Sequence, residues 1–482
     1  MNVRMKAAFL AVAASMLLWG GGSARGGIVI YGGPMYDSAT GTGYKNPLWI
    51  GGFGLGVGNG VAVGNAGKYV AGVYLGNHAL RWDASGTAVE LGNLGTDSTG
   101  RADPLAYACN DAGTAVGSAP KCVADIWNGV AVRWDASGTA ATELGNLGTC
   151  SWRGTSCNAY AVNDAGTAVG YAEKYVADVY MGSSAVRWDA SGTAATELGN
   201  LGTCSWRETS SCAYAVNNAG TAVGGAEKYV ADVYMGSSAV RWDASGTTAT
   251  ELGNLWTDSN GCVDSCAYYI TSAGTAVGQA IKYVAGSWMG RRTVRWDGSG
   301  TAVELGNLGT DSTGRSDPLA YACNDAGTAV GYAEKYVAGV DVGPRAVRWD
   351  ASDTTAVELG NQWTDSNNSY NGSFALGIND DGTAVGIAYE HDGVDPRAAV
   401  MWRPDGVMID LNSLIDPTSG WVLTEAWGIS KGNWITGIGS FDPDGAGPLP
   451  PYDRLFLMQV PEPATLSLLA LGGLAVIRRR RK

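Results

Sequence analysis

One string of eighteen residues, RWDASGTAATELGNLGTC, occurs twice without a change, at 133–150 and 187–204. Its tryptophan belongs to a longer series, Trp82, Trp134, Trp188, Trp242, Trp296, Trp349 and Trp402, in steps of 52, 54, 54, 54, 53 and 53 residues. The glycine of DAGTAVG keeps the same rhythm at Gly60, Gly113, Gly166, Gly220, Gly274, Gly327 and Gly382, and an eighth member follows at Gly432. A fixed period of this size restricts the chain to a propeller, a solenoid or an array of stacked units. It also fixes what the repeated residues mean. One active site does not need seven copies, so the recurrent Arg–Trp–Asp is a building block.

Each unit reads as four short strands. AYAVN alternates and stops at DAG, where glycine can take the positive φ that closes a hairpin. TAVGYA returns, SAVRW forms the third strand, and DASG turns it into the fourth, ATELGNL. Four strands and their turns in about 53 residues predict the blade of a β-propeller. Within AVRWD the valine and tryptophan share one face, which places the tryptophan between blades, and the arginine is expected to pair with the glutamate of ELG on the adjoining strand. The predicted fold is therefore all-β, a propeller of about eight four-stranded blades over residues 25–459. Seven units are complete. The eighth has AWGIS, NWITGI and RLFLMQV but no fourth strand, so GIVIY or PLWIGG near the N-terminus is expected to pair with it and clasp the ring.

Composition agrees: 72 Gly, 18 Trp and 22 Tyr stand against 5 Phe and 2 His, and helix periodicity is absent between the two ends. The formal charge of -13 conceals a more acidic middle. Without the seven basic residues and Glu462 of the two ends, 25 basic residues face 44 acidic ones. Such a surface repels phosphate backbones and argues against nucleic-acid partners.

The ends read as addresses. Arg4 and Lys6 precede AAFLAVAASMLLW and GGGSA, the three-part form of a signal peptide over residues 1–24. Export permits disulfides among the nine cysteines, and three pairs lie close in sequence: Cys150 with Cys157, Cys204 with Cys212, Cys262 with Cys266. These pairs vanish from the equivalent loops near Asp97 and Asp311, which predicts three local disulfides. Cys109 and Cys323 replace the valine of AYAVN and are expected to be buried free thiols, and Cys122 has no nearby mate.

The pattern A-x-x-[IV]-N-x-x-G-x-[AV]-V-G, then A-x-x-W, a turn and L-G-x-L-G, resembles the extracellular HAF repeat family, with AYAVNDAGTAVG and AVRWDASGTAATELGNLG as its best instances. The His-Ala-Phe of that family survives only as His78-Ala79-Leu80, and the resemblance implies an exported repeat domain and transfers no catalytic residues. Residues 460–482 resemble the PEP-CTERM sorting signal: Pro461-Glu462-Pro463, an apolar segment at 464–477 read as a short transmembrane helix, and five terminal basic residues. That resemblance implies processing by an exosortase, a membrane protease-like enzyme. The expected location is the inner membrane before processing and the cell surface or extracellular matrix after it.

After each KYVA or its variant comes an aromatic at one place: Tyr74, Trp127, Tyr180, Tyr234 and Trp288, with Asp341 breaking the series. These should stand on one rim, where they could stack on sugar rings or simply pack between loops. Asp380 with Asp381, and Asp442 with Asp444, supply too few oxygens for a calcium loop. Two distant histidines and no CxxC pair leave zinc without ligands. No G-x-S-x-G occurs, and the carboxylates are locked in the repeat. No cofactor, metal or catalytic residue is expected. The chain is read as a non-enzymatic structural or binding protein of the cell exterior, associated with extracellular polysaccharide or envelope proteins. The competing class is a propeller-type glycan hydrolase.

The segment 464–477 gives about 21 Å of helix against a hydrocarbon core of about 30 Å, short for a permanent anchor. Intact-mass analysis of the exported protein should therefore find an end near Pro461–Pro463. Retention of Arg478 through Lys482 would make the chain an inner-membrane-anchored protein instead.

Overall fold

The computed structural model describes residues 28–33, 35–48, 57–123, 126–151, 154–205, 208–361, 372–389, 397–445 and 447–460. The proposed signal peptide, His391 and the tail from Pro461 onward lie outside these residues. Among those described, no helix is long and apolar enough to cross a membrane.

Blade 3 is representative. Its strands Cys157–Val162, Ala168–Val176, Val179–Trp188 and Ala195–Glu197 pair in chain order as an antiparallel sheet. Blade 1 holds Val61–Val70, Val73–Asp83 and Ala88–Glu90, and the blade 3 order recurs in blade 2 from its first strand Leu105–Cys109, blade 4 from Ser211–Val216, blade 5 from Val263–Ile270, blade 6 from Leu319–Cys323 and blade 7 from Ser373–Ile378. These first strands are innermost, and their ends converge on a single cavity of about 290 Å³. The glycines of the DAG turns hold φ near +85°, from 80° at Gly382 to 88° at Gly113, the left-handed conformation that the hairpin requires.

The second and third strands run longer than the sequence pattern implies. KYVADVYMG, which the repeat pattern leaves between the second and third strands, continues the ladder to its tip, where Val176 pairs with Val179 around Ala177 (φ 48) and Asp178 (φ 64). Two positive φ values make a type I′ turn. It recurs at Ala71-Gly72, Ala231-Asp232, Ala285-Gly286 and Ala338-Gly339. Alanine in this conformation costs about 1 kcal/mol and is not a turn signal, which is why the sequence hides it. Strand alternation places the DAG and DASG turns on one face of the ring, the turn face, and these tips on the other, the hairpin face.

The tryptophans are the wedges between blades. All seven are essentially inaccessible to solvent. Trp134 packs among Val63, Ala79 and Leu91 of blade 1 and Ala106, Ala115 and Val132 of its own blade. Its Nε1 donates to Gly92 O at 2.8 Å, and Trp188 does the same to Gly145 O at 2.8 Å. The glycine of each ELG thus carries the acceptor for the next blade's indole. Truncating such a residue to alanine costs about 3–5 kcal/mol.

The arginine differs from expectation. It does not bond the ELG glutamate but crosses to carbonyls in the next blade's turns: Arg81 donates to Asp135 O (2.9 Å) and Gly138 O (2.6 Å), and Arg187 to Asp243 O (2.9 Å) and Ala244 O (2.7 Å). The glutamate is claimed by the lysine of KYV, as in Lys174–Glu197 (2.9 Å) and Lys228–Glu251 (2.7 Å). A register shift at that lysine, between Glu173 and Tyr175 in blade 3, marks a bulge that re-aims its side chain.

Nearest the axis the stitching is polar. Asn163 Oδ1 accepts its own turn's Thr167 N–H at 2.9 Å, while Nδ2 donates to Asn217 O of the next blade at 2.9 Å. Asn110, Asn217 and Asn324 repeat both bonds.

The ring closes at the expected seam. Blade 8 consists of Trp421–Ile429, Trp434–Phe441, Tyr452–Gln459 and, as its fourth strand, the N-terminal Ile30–Gly32. Ile30 pairs with Met458, Tyr31 with Leu457 and Gly32 with Phe456. A Cβ at Gly32 would meet the Arg454 guanidinium at 2.5 Å, so only glycine lets that side chain reach Gly33 O, at 2.9 Å from Nε. Of the two segments proposed for the clasp, GIVIY supplies it. PLWIGG does not, for Pro47 pairs with Ala66 of blade 1 at the end of an additional strand, Thr42–Pro47. Trp427, Ile438 and Leu455 of blade 8 then pack on Ala62, Leu80 and Trp82 of blade 1. Because blade 8 has no ELG, the Trp82 Nε1 finds no acceptor among the described residues.

Candidate functional site

The hairpin face carries the repeated aromatics. Tyr74 faces Tyr69 with ring centroids 5.4 Å apart, Tyr180 faces Tyr175 at 5.5 Å, and Tyr234 faces Tyr229 at 5.5 Å. Each therefore packs against the tyrosine directly across its own hairpin. Trp288 lies opposite Tyr283 in register, and the Arg315 guanidinium sits 4.0 Å from its ring centroid. Tyr74, Tyr234 and Trp288 keep about two-fifths of their surface exposed. The side chain of Trp127 is outside the described ones. Around these rings project the tip valines Val70, Val73, Val176, Val179, Val230, Val233, Val284, Val337 and Val340, all 43–63% exposed. Sequence reasoning missed this apolar crown because the valines looked like ordinary strand residues.

Tyr180 opens onto a recess of about 700 Å³, bordered by Met181, Asn200, Thr203, Ser205, Glu208 and Thr209. An aromatic plane is thus set among hydroxyl, amide and carboxylate groups. Glu197 also reaches this recess, but Lys174 (2.9 Å) and Ser184 Oγ (2.9 Å) hold it.

On the turn face the innermost turns make a second site, which the repeat reading overlooked. Asp164 N–H donates to Asn218 Oδ1 at 3.0 Å, Ser272 N–H to Asp325 Oδ1 at 2.9 Å, and Asp325 N–H to Asp380 Oδ1 at 2.9 Å. Lys431 of blade 8 bridges Asp325 (3.0 Å) and Asp380 (3.2 Å), and these carboxylates raise its pKa. Burial raises the Asp111 carboxyl, and Asp164 beside it raises it further. No group of His, Cys, Asp and Glu suited to a metal ion occurs among the described residues. Asp442 Oδ1 caps its own turn through the Gly445 N–H at 2.9 Å.

Between the two faces runs an aromatic girdle. In blades 2 to 6 the bulge of the inner strand falls on a tyrosine, and Tyr107, Tyr160, Tyr214 and Tyr268 of blades 2 to 5 follow one another at 5.6, 5.8 and 5.3 Å. The signal was present in the sequence as a tyrosine that recurs in five of the units, but a bulge has no signature that would have aimed it.

Among the described side chains eight cysteines are free thiols: Cys109, Cys150, Cys157, Cys204, Cys212, Cys262, Cys266 and Cys323. Members of the local pairs make different contacts. Cys150 Sγ lies 3.9 Å from Asp178 O at a hairpin tip, whereas Cys157 Sγ lies 4.0 Å from Gly145 O inside the sheet stack. Cys204 Sγ is 3.9 Å from Asp232 O and Cys262 Sγ 3.6 Å from Tyr234 O, again at a tip, while Cys212 and Cys266 sit on inner strands. Cys109 and Cys323 border the axial cavity and are half-buried rather than fully so, their thiols pushed up to about 12 by burial.

The sorting segment is matched independently: residues 459–482 fit the PEP-CTERM protein-sorting motif. That motif implies export, sorting to the cell surface and an exosortase as partner. No curated protein matches the chain. Similar solved structures include the β-propeller domain of the Trilobed protease from Pyrococcus furiosus, at 9% identity and TM-score 0.41 over 78% of this chain and 97% of that one. Puromycin hydrolase is 12% identical, with TM-score 0.43 over 87% and 63%. Polysaccharide lyase Uly1 is 9% identical, with TM-score 0.39 over 80% and 98%. The all-β, propeller-like architecture stands on the strand order and seam described above.

One charged cluster gives a pH test of the scaffold. Burial pushes the Glu90 carboxyl up, but hydrogen bonds from His78 (2.7 Å), Lys68 (2.8 Å) and Tyr44 outweigh it and hold the group down to about 2 from an ordinary 4.5. A depressed pKa stabilises the fold above the ordinary value and loses that contribution as pH falls through the folded one. Urea unfolding of Glu90→Gln against the native chain should show a difference on the order of 3 kcal/mol at pH 6, shrinking from pH 4.5 downward and nearly gone at pH 2. A difference independent of pH would refute the assignment.

Proposed function

We propose that this chain is an exported, non-enzymatic propeller displayed at the cell surface or in the extracellular matrix, where its hairpin face binds polysaccharide. The recess beside Tyr180 carries the reading. A half-buried tyrosine ring there is flanked by Asn200, Thr203, Ser205 and Thr209, the combination of a flat apolar platform and short hydrogen-bonding groups that suits a sugar ring. The repeats are read as HAF-like, and the aromatics Tyr74, Trp127, Tyr180, Tyr234 and Trp288 as one multivalent set.

Orientation supports the proposal. Val460 N–H donates to Asn433 O at 3.0 Å and Gln459 Nε2 to Gly432 O at 3.0 Å, so the chain leaves the ring on the turn face. While the sorting segment is held in the inner membrane, the hairpin face is directed away from it, and release by the exosortase leaves that face available.

Glycan arrays probed with the purified exported protein, followed by titration of the best ligand, test this. Tyr180→Ala should weaken binding about tenfold, the worth of one aromatic contact. Glu208→Gln should leave binding within a few-fold. Unchanged affinity in Tyr180→Ala, or turnover of a glycan abolished by loss of one carboxylate, would favour the hydrolase reading or a protein partner.

A further inference from the structure

Blades 3 and 4 share a twenty-residue segment with one difference: VGYAEKYVADVYMGSSAVRW begins at Val169, and VGGAEKYVADVYMGSSAVRW at Val223. Tyr171 is thereby replaced by Gly225. The other tryptophan blades carry Asn65, Ser118, Gln279, Tyr332 and Ile387 at this rung, so blade 4 alone has no side chain there.

A sulfur from the next blade fills the space. A Cβ added to Gly225 would stand 3.1 Å from Cys266 Sγ and 3.8 Å from Cys266 Cβ. Gly225 pairs across the ladder with Cys212, and directly opposed residues in an antiparallel pair project to the same side. Cys266 Sγ of blade 5 therefore lies over the rung that carries Cys212 of blade 4. The two cysteines are at equivalent rungs, Cys212 opposite Gly225 and Cys266 opposite Gln279, and lean alike toward Ala213 O (3.8 Å) and Ala267 O (3.9 Å). The corresponding residues in blades 2, 3, 6 and 7 are Leu105, Asn158, Leu319 and Phe374, so cysteine occurs here only in two blades that touch. Those blades are also drawn together at their edges, where Gly236 and Ser237 pair in parallel with Val263 and Asp264, two residues before Cys266. Burial raises the Cys212 thiol and the adjacent Cys266 raises it further, in keeping with their nearness.

We propose that Cys212 and Cys266 form a disulfide between blades 4 and 5 once the chain has been exported. The two thiols lose two electrons and two protons to a disulfide-bearing oxidant. Its S–S bond opens to two thiols as the Cys212–Cys266 bond forms. The bond ties the inner strands of neighbouring blades and leaves Cys204 and Cys262 as thiols at the hairpin tips.

Peptide mapping tests it on the full chain, purified reduced, treated with oxidised glutathione, alkylated and cut with trypsin and Asp-N. Peptides 208–228 and 264–282 should be recovered as a linked pair that reductant separates. Linkage of Cys212 to Cys204 and of Cys266 to Cys262, or alkylation of both inner thiols after oxidation, would overturn the proposal. Gly225→Tyr installs the residue that the matching segment of blade 3 already accommodates, so folding should persist while the linked fraction falls at least tenfold. Undiminished linkage in that variant would overturn the account of why these two cysteines meet.

Discussion

A propeller is weakest at its axis, where strands from neighbouring blades come together without room for a large apolar wedge. Here the asparagine that ends the inner strand of blades 2, 3, 4, 6 and 7 meets that constraint. Its amide oxygen closes its own turn and its amide nitrogen bonds the next blade's carbonyl, as Asn163 does with Thr167 and Asn217. Both ends of a buried amide are satisfied, and each blade that carries the asparagine is registered on the following one. Such bonds are modest singly, about 1 kcal/mol net, but an unsatisfied buried partner costs more, so loss of one carries a penalty beyond its own worth. Farther out, Trp134 and its equivalents fill the widening gap, and the arginines lock the turn face to the next blade.

Most of this scaffold was legible because repetition multiplies weak signals. A lone AVRWD would not have distinguished core from site. Seven copies at constant spacing identify the tryptophan as packing, and the missing fourth strand of the last unit pointed to an N-terminal clasp. The arginine and glutamate were mismatched for a physical reason. Alternation predicts which face a side chain leaves from, but not that Arg81 is long enough to reach Asp135 O and Gly138 O in the next blade. The bulges at the lysine of KYV and the tyrosine of AYA were equally hidden, since the extra residue looks like any other strand residue.

The site was less legible than the scaffold. The aromatics of the rim were found from their spacing, but their pairing with Tyr69, Tyr175 and Tyr229 depends on a tight hairpin turned by alanine, which carries no turn signature. The crown of exposed valines follows from the same turn. Turn face and hairpin face thus differ in kind: one is hydrogen-bonded, acidic and centred on Lys431, the other aromatic and apolar and set opposite the point where the sorting segment begins.

Closure of the ring by the N-terminal strand is the central claim, because without it blade 8 has an open edge and the seam with blade 1 loses its outer support. Hydrogen exchange of the mature protein measures this most directly. Peptides spanning 28–33 and 452–460 should exchange together, with protection comparable to the hairpins of blades 3 and 4. Exchange of 28–33 at the rate of an unstructured chain, while 452–460 stays protected, would contradict a clasped ring.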